Sequence, residues 1–152
     1  MKQNNFILRA WVNMELEIPS GFTFYGFIPK DSNEQHLGIV LGVKDTLLKY
    51  CYCTSKEKYK NIKFRETDYV KIPAHMMEKY FNNPQETFIY ISQQHIIDIP
   101  LITFQSRLSS FEYEEKERID NGIFSAILSK INNSDNLSER FKQEFFEFLE
   151  ID

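Results

Sequence analysis

Five side chains that could bind and activate an anionic group lie near the two ends of the segment formed by residues 31–56. The amide, imidazole, hydroxyl and ammonium groups concerned belong to Gln35, His36, Thr54, Ser55 and Lys56. An imidazole titrates near neutral pH and can transfer protons, whereas hydroxyls and an ammonium suit the oxygens of a phosphodiester. These residue types predict proton-transfer chemistry at a phosphate, provided that folding brings the two ends together. The alternative is that they are ordinary polar residues at strand ends.

The residues between the two ends predict a pair of antiparallel strands. An apolar run at residues 36–43 is followed by a turn at Lys44-Asp45 and by a second apolar run at residues 47–53. In an antiparallel pair, the start of the first strand lies beside the end of the second. The hairpin would therefore place both polar ends at one edge of a sheet.

A basic segment follows the hairpin directly. Its cations are Lys56, Lys58, Lys60, Lys63 and Arg65, and the rings of Tyr59 and Phe64 lie among them. Cations interleaved with aromatic rings can follow single-stranded nucleic acid through charge and base stacking. We predict that these five cations bind RNA together with Gln35; the alternative is a solvated charged face. The formal net charge of −4 argues against a broad nucleic-acid surface but is compatible with a narrow one.

The composition is that of a folded chain without a cofactor signature. With 152 residues, of which 42% are hydrophobic and 15% aromatic, the chain can form a core as one domain over residues 1–152. Cys51 and Cys53 would point to the same face of a strand, a geometry that disfavours a disulfide, and are expected to be small buried side chains. The three histidines lack metal-ligand spacing. We expect no metal, no cofactor and a cytoplasmic location, because neither a secretory signal nor a membrane span is visible.

The remaining segments predict short strands followed by helices. Residues 6–18 fit either a helix or a strand. Strands are predicted at residues 22–28, 69–72, 87–92 and 95–104, with a helical turn at 74–81. Ser109 and Glu112 fit a capping box before a helix with an isoleucine stripe, and a last helix is predicted at residues 135–150. This order predicts an α+β fold: a small antiparallel, partly closed β-barrel with flanking helices.

The order of these segments resembles that of the PemK/MazF family of toxin ribonucleases, which belong to toxin–antitoxin modules. A Gly-led strand reaching a proline, a loop with Ser, Glu and Gln, a strand ending in Thr-Ser, and an Arg-Leu pair occur here in the family's order. The matching segments are residues 21–29, 32–35, 50–55, 69–72 and 92–99, and Arg107-Leu108. The likeness covers residues 20–131. It leaves residues 1–19 as an N-terminal extension and residues 135–150 as a C-terminal helix.

The resemblance implies an SH3-like barrel that cleaves RNA in a sequence-selective way and without a metal, by attack of the RNA 2′-hydroxyl on the adjacent phosphorus. It also implies a homodimer and an antitoxin protein as partner. The family's arginine after the Glu-Gln pair is absent, because His36 stands in its place. His36 would then supply proton transfer, while Thr54 and Ser55 hold the phosphate. The alternative is a catalytically degenerate relative that acts as a protein- or RNA-binding module.

Overall fold

A computed structural model of the chain describes residues 18–28, 33–55 and 68–149. Its strands are β1 Thr23–Phe27, β2 Gln35–Lys44, β3 Leu47–Tyr52, β4 Tyr69–Ile72, β5 Thr87–Tyr90, β6 Ile97–Pro100 and β7 Glu114–Lys116. Its α-helices are α1 Leu101–Ser109, α2 Asn121–Asn133 and α3 Glu139–Leu149, and a 3₁₀ helix spans Ala74–Met77. The predicted α+β class is confirmed. The choice between helix and strand for residues 6–18 falls almost entirely outside the described residues.

The strands form two antiparallel sheets. The larger sheet has the order β6-β3-β2-β1-β7, and β4 and β5 pair in a smaller one. The sheets meet at an isolated pair of residues, Thr54 and Phe88, which exchange two backbone hydrogen bonds of 2.9 and 2.8 Å. No closed barrel is found within the described ranges, so the SH3-like, PemK/MazF-type barrel stays a prediction. The single domain over residues 1–152 stays a prediction too.

The predicted hairpin is confirmed, with its turn one residue later than expected. β2 and β3 pair antiparallel, and Lys44 lies opposite Leu47. The two loop residues are therefore Asp45 and Thr46. Asp45 takes a left-handed φ of 56°, which a short polar side chain tolerates better than lysine would.

β2 lies at the centre of the fold, with both of its faces buried. Leu37, Ile39 and Leu41 belong to a core cluster shared with α2 and α3, whereas Val40 belongs to a second cluster. That second cluster includes Phe24 of β1 and Phe104 of α1. Burial on both sides explains why β2 is a continuous apolar run rather than an alternating one.

Two predictions about the helices were wrong. Residues 95–104 were expected to be extended, but the strand ends at Pro100 and α1 begins at Leu101. Ser109 was expected to cap a helix, but it is the last residue of α1. The residue that caps α2 is Asp120, whose side chain accepts hydrogen bonds from the backbone N–H groups of Gly122 at 2.8 Å and Ile123 at 3.3 Å. An aspartate satisfies these otherwise unpaired donors as well as serine does.

The isoleucine stripe of α2 is confirmed, since Ile123, Ile127 and Ile131 are all buried. In α3, Phe145 is buried in the same core cluster, while Phe141 and Leu149 pack against it. None of the helices within the described ranges is both long enough and apolar enough to cross a membrane.

Candidate functional site

A cleft of about 330 Å³ opens where the ends of β2 and β3 face the segment that leads into β5. Gln35, His36, Thr54 and Ser55 line one side of the cleft, which we call the histidine wall. The other side, which we call the amide wall, is lined by Phe81, Asn82, Asn83, Gln85 and Thr87. The cleft has the size of a small-ligand site and is polar on both sides.

The structure brings together four of the residues that the sequence singled out. Gln35 and His36 begin β2, while Thr54 and Ser55 follow β3, and all four line the same cleft. Antiparallel pairing of β2 with β3 is the cause, because Cys53 donates its backbone N–H to the Leu37 carbonyl at 2.8 Å. The five predicted RNA-binding cations, Lys56, Lys58, Lys60, Lys63 and Arg65, lie outside the described residues.

His36 is held in a defined tautomer. Its Nδ1 lies 2.9 Å from the backbone carbonyl oxygen of Cys53. A carbonyl oxygen only accepts hydrogen bonds, so Nδ1 carries the proton and the neutral ring keeps its lone pair on Nε2. The side chain is only 6% exposed, and the Tyr52 ring lies beside it, with ring centroids 5.3 Å apart. A histidine that begins a strand directly after a polar loop is expected to be exposed, but the neighbouring strands and the Tyr52 ring bury His36.

Thr54 occupies the junction of the two sheets. Both of its backbone polar groups are bonded to Phe88 of β5. Its side chain is 7% exposed, whereas Ser55 is exposed at the cleft. The pairing with Phe88 brings the start of β5, and with it the amide wall, to the cleft that His36 also lines.

The amide wall was missed by sequence reasoning, which took Asn82-Asn83-Pro84 only as a chain break. The chain there is well anchored: Phe81 donates its backbone N–H to the Met77 carbonyl at 3.2 Å. The hydroxyl of Thr87 donates to the Gln85 carbonyl at 2.9 Å. Two adjacent asparagines before a strand were the available signal, but nothing local linked them to a hairpin that ends at Tyr52, far earlier in the chain.

One carboxylate lies among the described residues of the cleft. Among the described lining residues, Glu34 is the one charged side chain, apart from any protonation of His36. A cation that the sequence did not single out lies nearby: Lys116 places Nζ 5.8 Å from the ring centroid of Tyr25, which lines the cleft. Lys116 also pairs with Glu114 at 3.5 Å.

The cysteines are buried as expected, and neither is an activated nucleophile. Burial raises the pKa of the Cys51 thiol from 9.0 to about 12. Burial, together with the neighbouring Cys51, also raises the pKa of Cys53 well above its ordinary value. Cys53 lines the cleft but stays a thiol at neutral pH, and a thiol is a far weaker nucleophile than a thiolate.

The other two histidines are not part of the cleft lining. His75 is exposed on the 3₁₀ helix. His95 is buried, its Nδ1 lies 2.6 Å from the Ser92 hydroxyl, and its ring centroid lies 5.8 Å from that of Tyr52. No group of three or more His, Cys, Asp or Glu side chains in the described ranges is arranged to hold a metal ion.

Comparison of the sequence with protein-family models finds no match, and comparison with curated proteins finds no significant match either.

Proposed function

We propose that this chain is an endoribonuclease that cleaves single-stranded RNA in a sequence-selective way and without a metal ion. The observation that carries the proposal is His36, whose Nδ1 is held by the Cys53 carbonyl and which lines the same cleft as Thr54 and Ser55. An imidazole in a fixed tautomer and hydroxyl donors on residues that line the same cleft are the groups that such a cleavage needs.

In the proposed reaction, His36 Nε2 removes the proton from the RNA 2′-hydroxyl, and the 2′-oxygen attacks the adjacent phosphorus. The bond from phosphorus to the 5′-oxygen breaks as the new bond forms. The leaving 5′-oxygen takes a proton from solvent, so the products are a 2′,3′-cyclic phosphate and a 5′-hydroxyl. Thr54, Ser55 and Gln35 donate hydrogen bonds to the phosphate oxygens, where negative charge develops.

The same proposal includes membership of the PemK/MazF family as a divergent member. It then follows that residues 20–131 form the family's partly closed barrel, that two copies form the active homodimer, and that an antitoxin protein neutralises the chain. The sequence order described above supports this reading, as does an antiparallel sheet with a smaller sheet beside it.

A second function is favoured by the charge of the cleft. Glu34 lines it, and the described lining residues include neither lysine nor arginine. A carboxylate repels the phosphate of RNA, and the family's arginine is replaced by His36. These two observations favour a catalytically degenerate module that binds protein or RNA without cutting.

The test is incubation of the pure protein with mixed-sequence RNA in EDTA, beside three variants. His36→Ala is expected to lose at least about 100-fold in cleavage rate, because proton transfer by a positioned group contributes about that much or more. Thr54→Ala is expected to lose less, since other donors remain. The matched control is His75→Ala, an exposed histidine outside the cleft, which should cleave like the wild type.

New 2′,3′-cyclic phosphate ends that disappear in His36→Ala identify the activity as the chain's own. Thermal unfolding of each variant separates lost chemistry from lost folding. If the wild type does not cut RNA even when the protein exceeds the substrate, the ribonuclease proposal is wrong and the binding module takes its place.

A further inference from the structure

The amide wall has no role in the chemistry proposed for His36. It nevertheless shares the cleft with the histidine wall, and together they enclose about 330 Å³, enough for one nucleotide-sized ligand. A strand of RNA with its phosphate at the histidine wall therefore needs the amide wall for a base.

Aromatic side chains suited to stacking lie at this part of the cleft. Tyr25 and Phe81 both line it, and their ring centroids are 5.7 Å apart in an edge-to-face arrangement. Phe81 and Tyr25 are both half-buried. Every nucleobase has a flat face, so such rings bind bases with little regard to identity.

Hydrogen bonds hold the segment that carries Phe81 in a fixed position. The backbone N–H groups of Tyr80 and Phe81 donate hydrogen bonds to the Met77 carbonyl at 3.1 and 3.2 Å. The Tyr80 hydroxyl donates to the Arg118 carbonyl oxygen at 3.1 Å, which fastens the segment to the chain beyond β7. Binding groups placed on such a fixed segment lose little freedom when a ligand arrives.

The polar groups beside Phe81 are amides. Asn82 and Asn83 are exposed and line the cleft, with Gln85 two residues further along the chain. An amide offers one donor and one acceptor side by side, which match N7 and the N6 amino group of adenine in two hydrogen bonds. Guanine presents two acceptors at the same edge and is best read by arginine or lysine rather than by an amide.

We propose that Phe81, Asn82 and Asn83 form a nucleobase subsite that prefers adenine, next to the phosphate held at the histidine wall. This subsite rests on the proposed function only in taking RNA as the ligand, because binding of the base needs no cleavage. Phe81 supplies stacking, and the two asparagines supply the choice of base.

The experiment measures binding without cleavage. The probes are fluorescein-labelled 2′-O-methyl hexamers of uridine with one central adenine or guanine, which lack the attacking hydroxyl and cannot be cut. Fluorescence anisotropy with the full chain is expected to show at least about fivefold tighter binding of the adenine hexamer, since one good pair of base contacts discriminates by at least about 1 kcal/mol.

Two variants divide the roles. Phe81→Ala should weaken both hexamers by about tenfold, since stacking on one ring contributes on that order. The double variant Asn82→Ala/Asn83→Ala should bring the two affinities within about twofold of each other, because each pair of base contacts it removes discriminates by at least about 1 kcal/mol. The matched control is Asn132→Ala/Asn133→Ala, an adjacent exposed pair at the end of α2, which should keep the adenine preference.

The outcomes separate this subsite from the cleavage proposal. Adenine preference that needs Asn82 and Asn83 supports the subsite, even if unmodified RNA is not cut. Cleavage of RNA whose base preference is unchanged in the double variant overturns the subsite and leaves the ribonuclease standing. A wild type that binds neither hexamer, or that prefers guanine, overturns the subsite as well.

Discussion

Replacing Gly38 with alanine tests how tightly β2 is held beneath the cleft. Gly38 lies two residues after His36 and directly opposite Phe24 of β1. A methyl group at Gly38 would meet the Phe24 ring, since all three of its nearest heavy atoms belong to that ring. Even the most distant of the three, Cε2, would be only 2.8 Å from the new carbon, at least about half an ångström inside ordinary carbon–carbon contact.

The Phe24 ring has nowhere to retreat. It is fully buried, and its centroid lies 4.8 Å from those of both Phe104 and Tyr113 and 5.2 Å from that of Tyr50. Extra volume in a packed core costs about 1–3 kcal/mol, and three surrounding rings place this site at the upper end. We expect Gly38→Ala to lower the free energy of unfolding by about 3 kcal/mol.

The assay is urea unfolding followed by far-UV circular dichroism. With an m-value of about 2 kcal/mol per molar urea, typical for a small protein, the midpoint should fall by about 1.5 M with m unchanged. The control is Gly42→Ala on the same strand, where the new methyl group would crowd only the Cδ2 end of the Leu149 side chain and the next atom lies 3.6 Å away. That flexible end can rotate aside, so the expected loss is below about 1 kcal/mol.

Equal losses of unfolding free energy in Gly38→Ala and Gly42→Ala would refute this reasoning. At both sites the new methyl group comes too close to a side chain, and the sites differ in whether that side chain can move away. A second check is the cycle with Phe24→Leu. With the ring removed, the further loss from Gly38→Ala should shrink to below about 1 kcal/mol, as expected for two residues in direct contact. Strict additivity would place the strain somewhere other than the Phe24 ring.

Two further predictions concern charge. The pKa of the buried Cys51 thiol is raised from 9.0 to about 12, so the unfolded thiol ionises first, and stability that is complete below about pH 9 should be lost as pH rises toward 12. Cys51→Ala should therefore show a smaller fall in the free energy of unfolding between about pH 8 and pH 10.5 than the wild type; equal falls would contradict the assignment. Lys116→Ala should weaken RNA binding and reduce the slope of log affinity against log salt by about 0.7, the value for one single-strand phosphate contact. Lys71→Ala, whose lysine pairs with a carboxylate at the same 3.5 Å distance, should leave that slope unchanged, and an equal reduction in both variants would remove Lys116 from the site.

The part of the fold that the sequence predicts best is the β2–β3 hairpin. Its strands are long apolar runs with only two residues between them, so the pairing and the meeting of both polar ends follow from local rules, although the turn was predicted one residue too early. The histidine wall of the cleft was predictable for the same reason.

The region from residue 101 to residue 120 was predicted wrongly by the same rules. The apolar start of α1 reads as a strand, and in the folded chain Ile102 is 77% exposed while Phe104 alone is buried on that helix. A nine-residue helix with one buried side chain leaves no periodic pattern to detect. The start of α2 was predicted wrongly because serine and aspartate both cap helices. Asp120 rather than Ser109 caps α2, since β7 lies between these two residues.

The amide wall could not be predicted because a non-local contact creates it. Asn82 and Asn83 reach the cleft through the pairing of Thr54 with Phe88. No local pattern around Thr54 or Phe88 indicates that these two residues pair. A similar limit applies to Lys116, which approaches Tyr25 only because β7 pairs with β1.

The Thr54–Phe88 pair also joins the two walls of the cleft through the backbone. The histidine wall lies at one end of the larger sheet and the amide wall leads into β5 of the smaller one, and within the described ranges the ladder contact between those sheets is this one pair. The core cluster that both sheets share, with Ile39 of β2 and Ile89 of β5, and the Tyr80–Arg118 hydrogen bond brace the amide wall against the larger sheet. Hydrogen exchange at the amides of Thr54 and Phe88 is thus a direct measure of how often this backbone pairing opens.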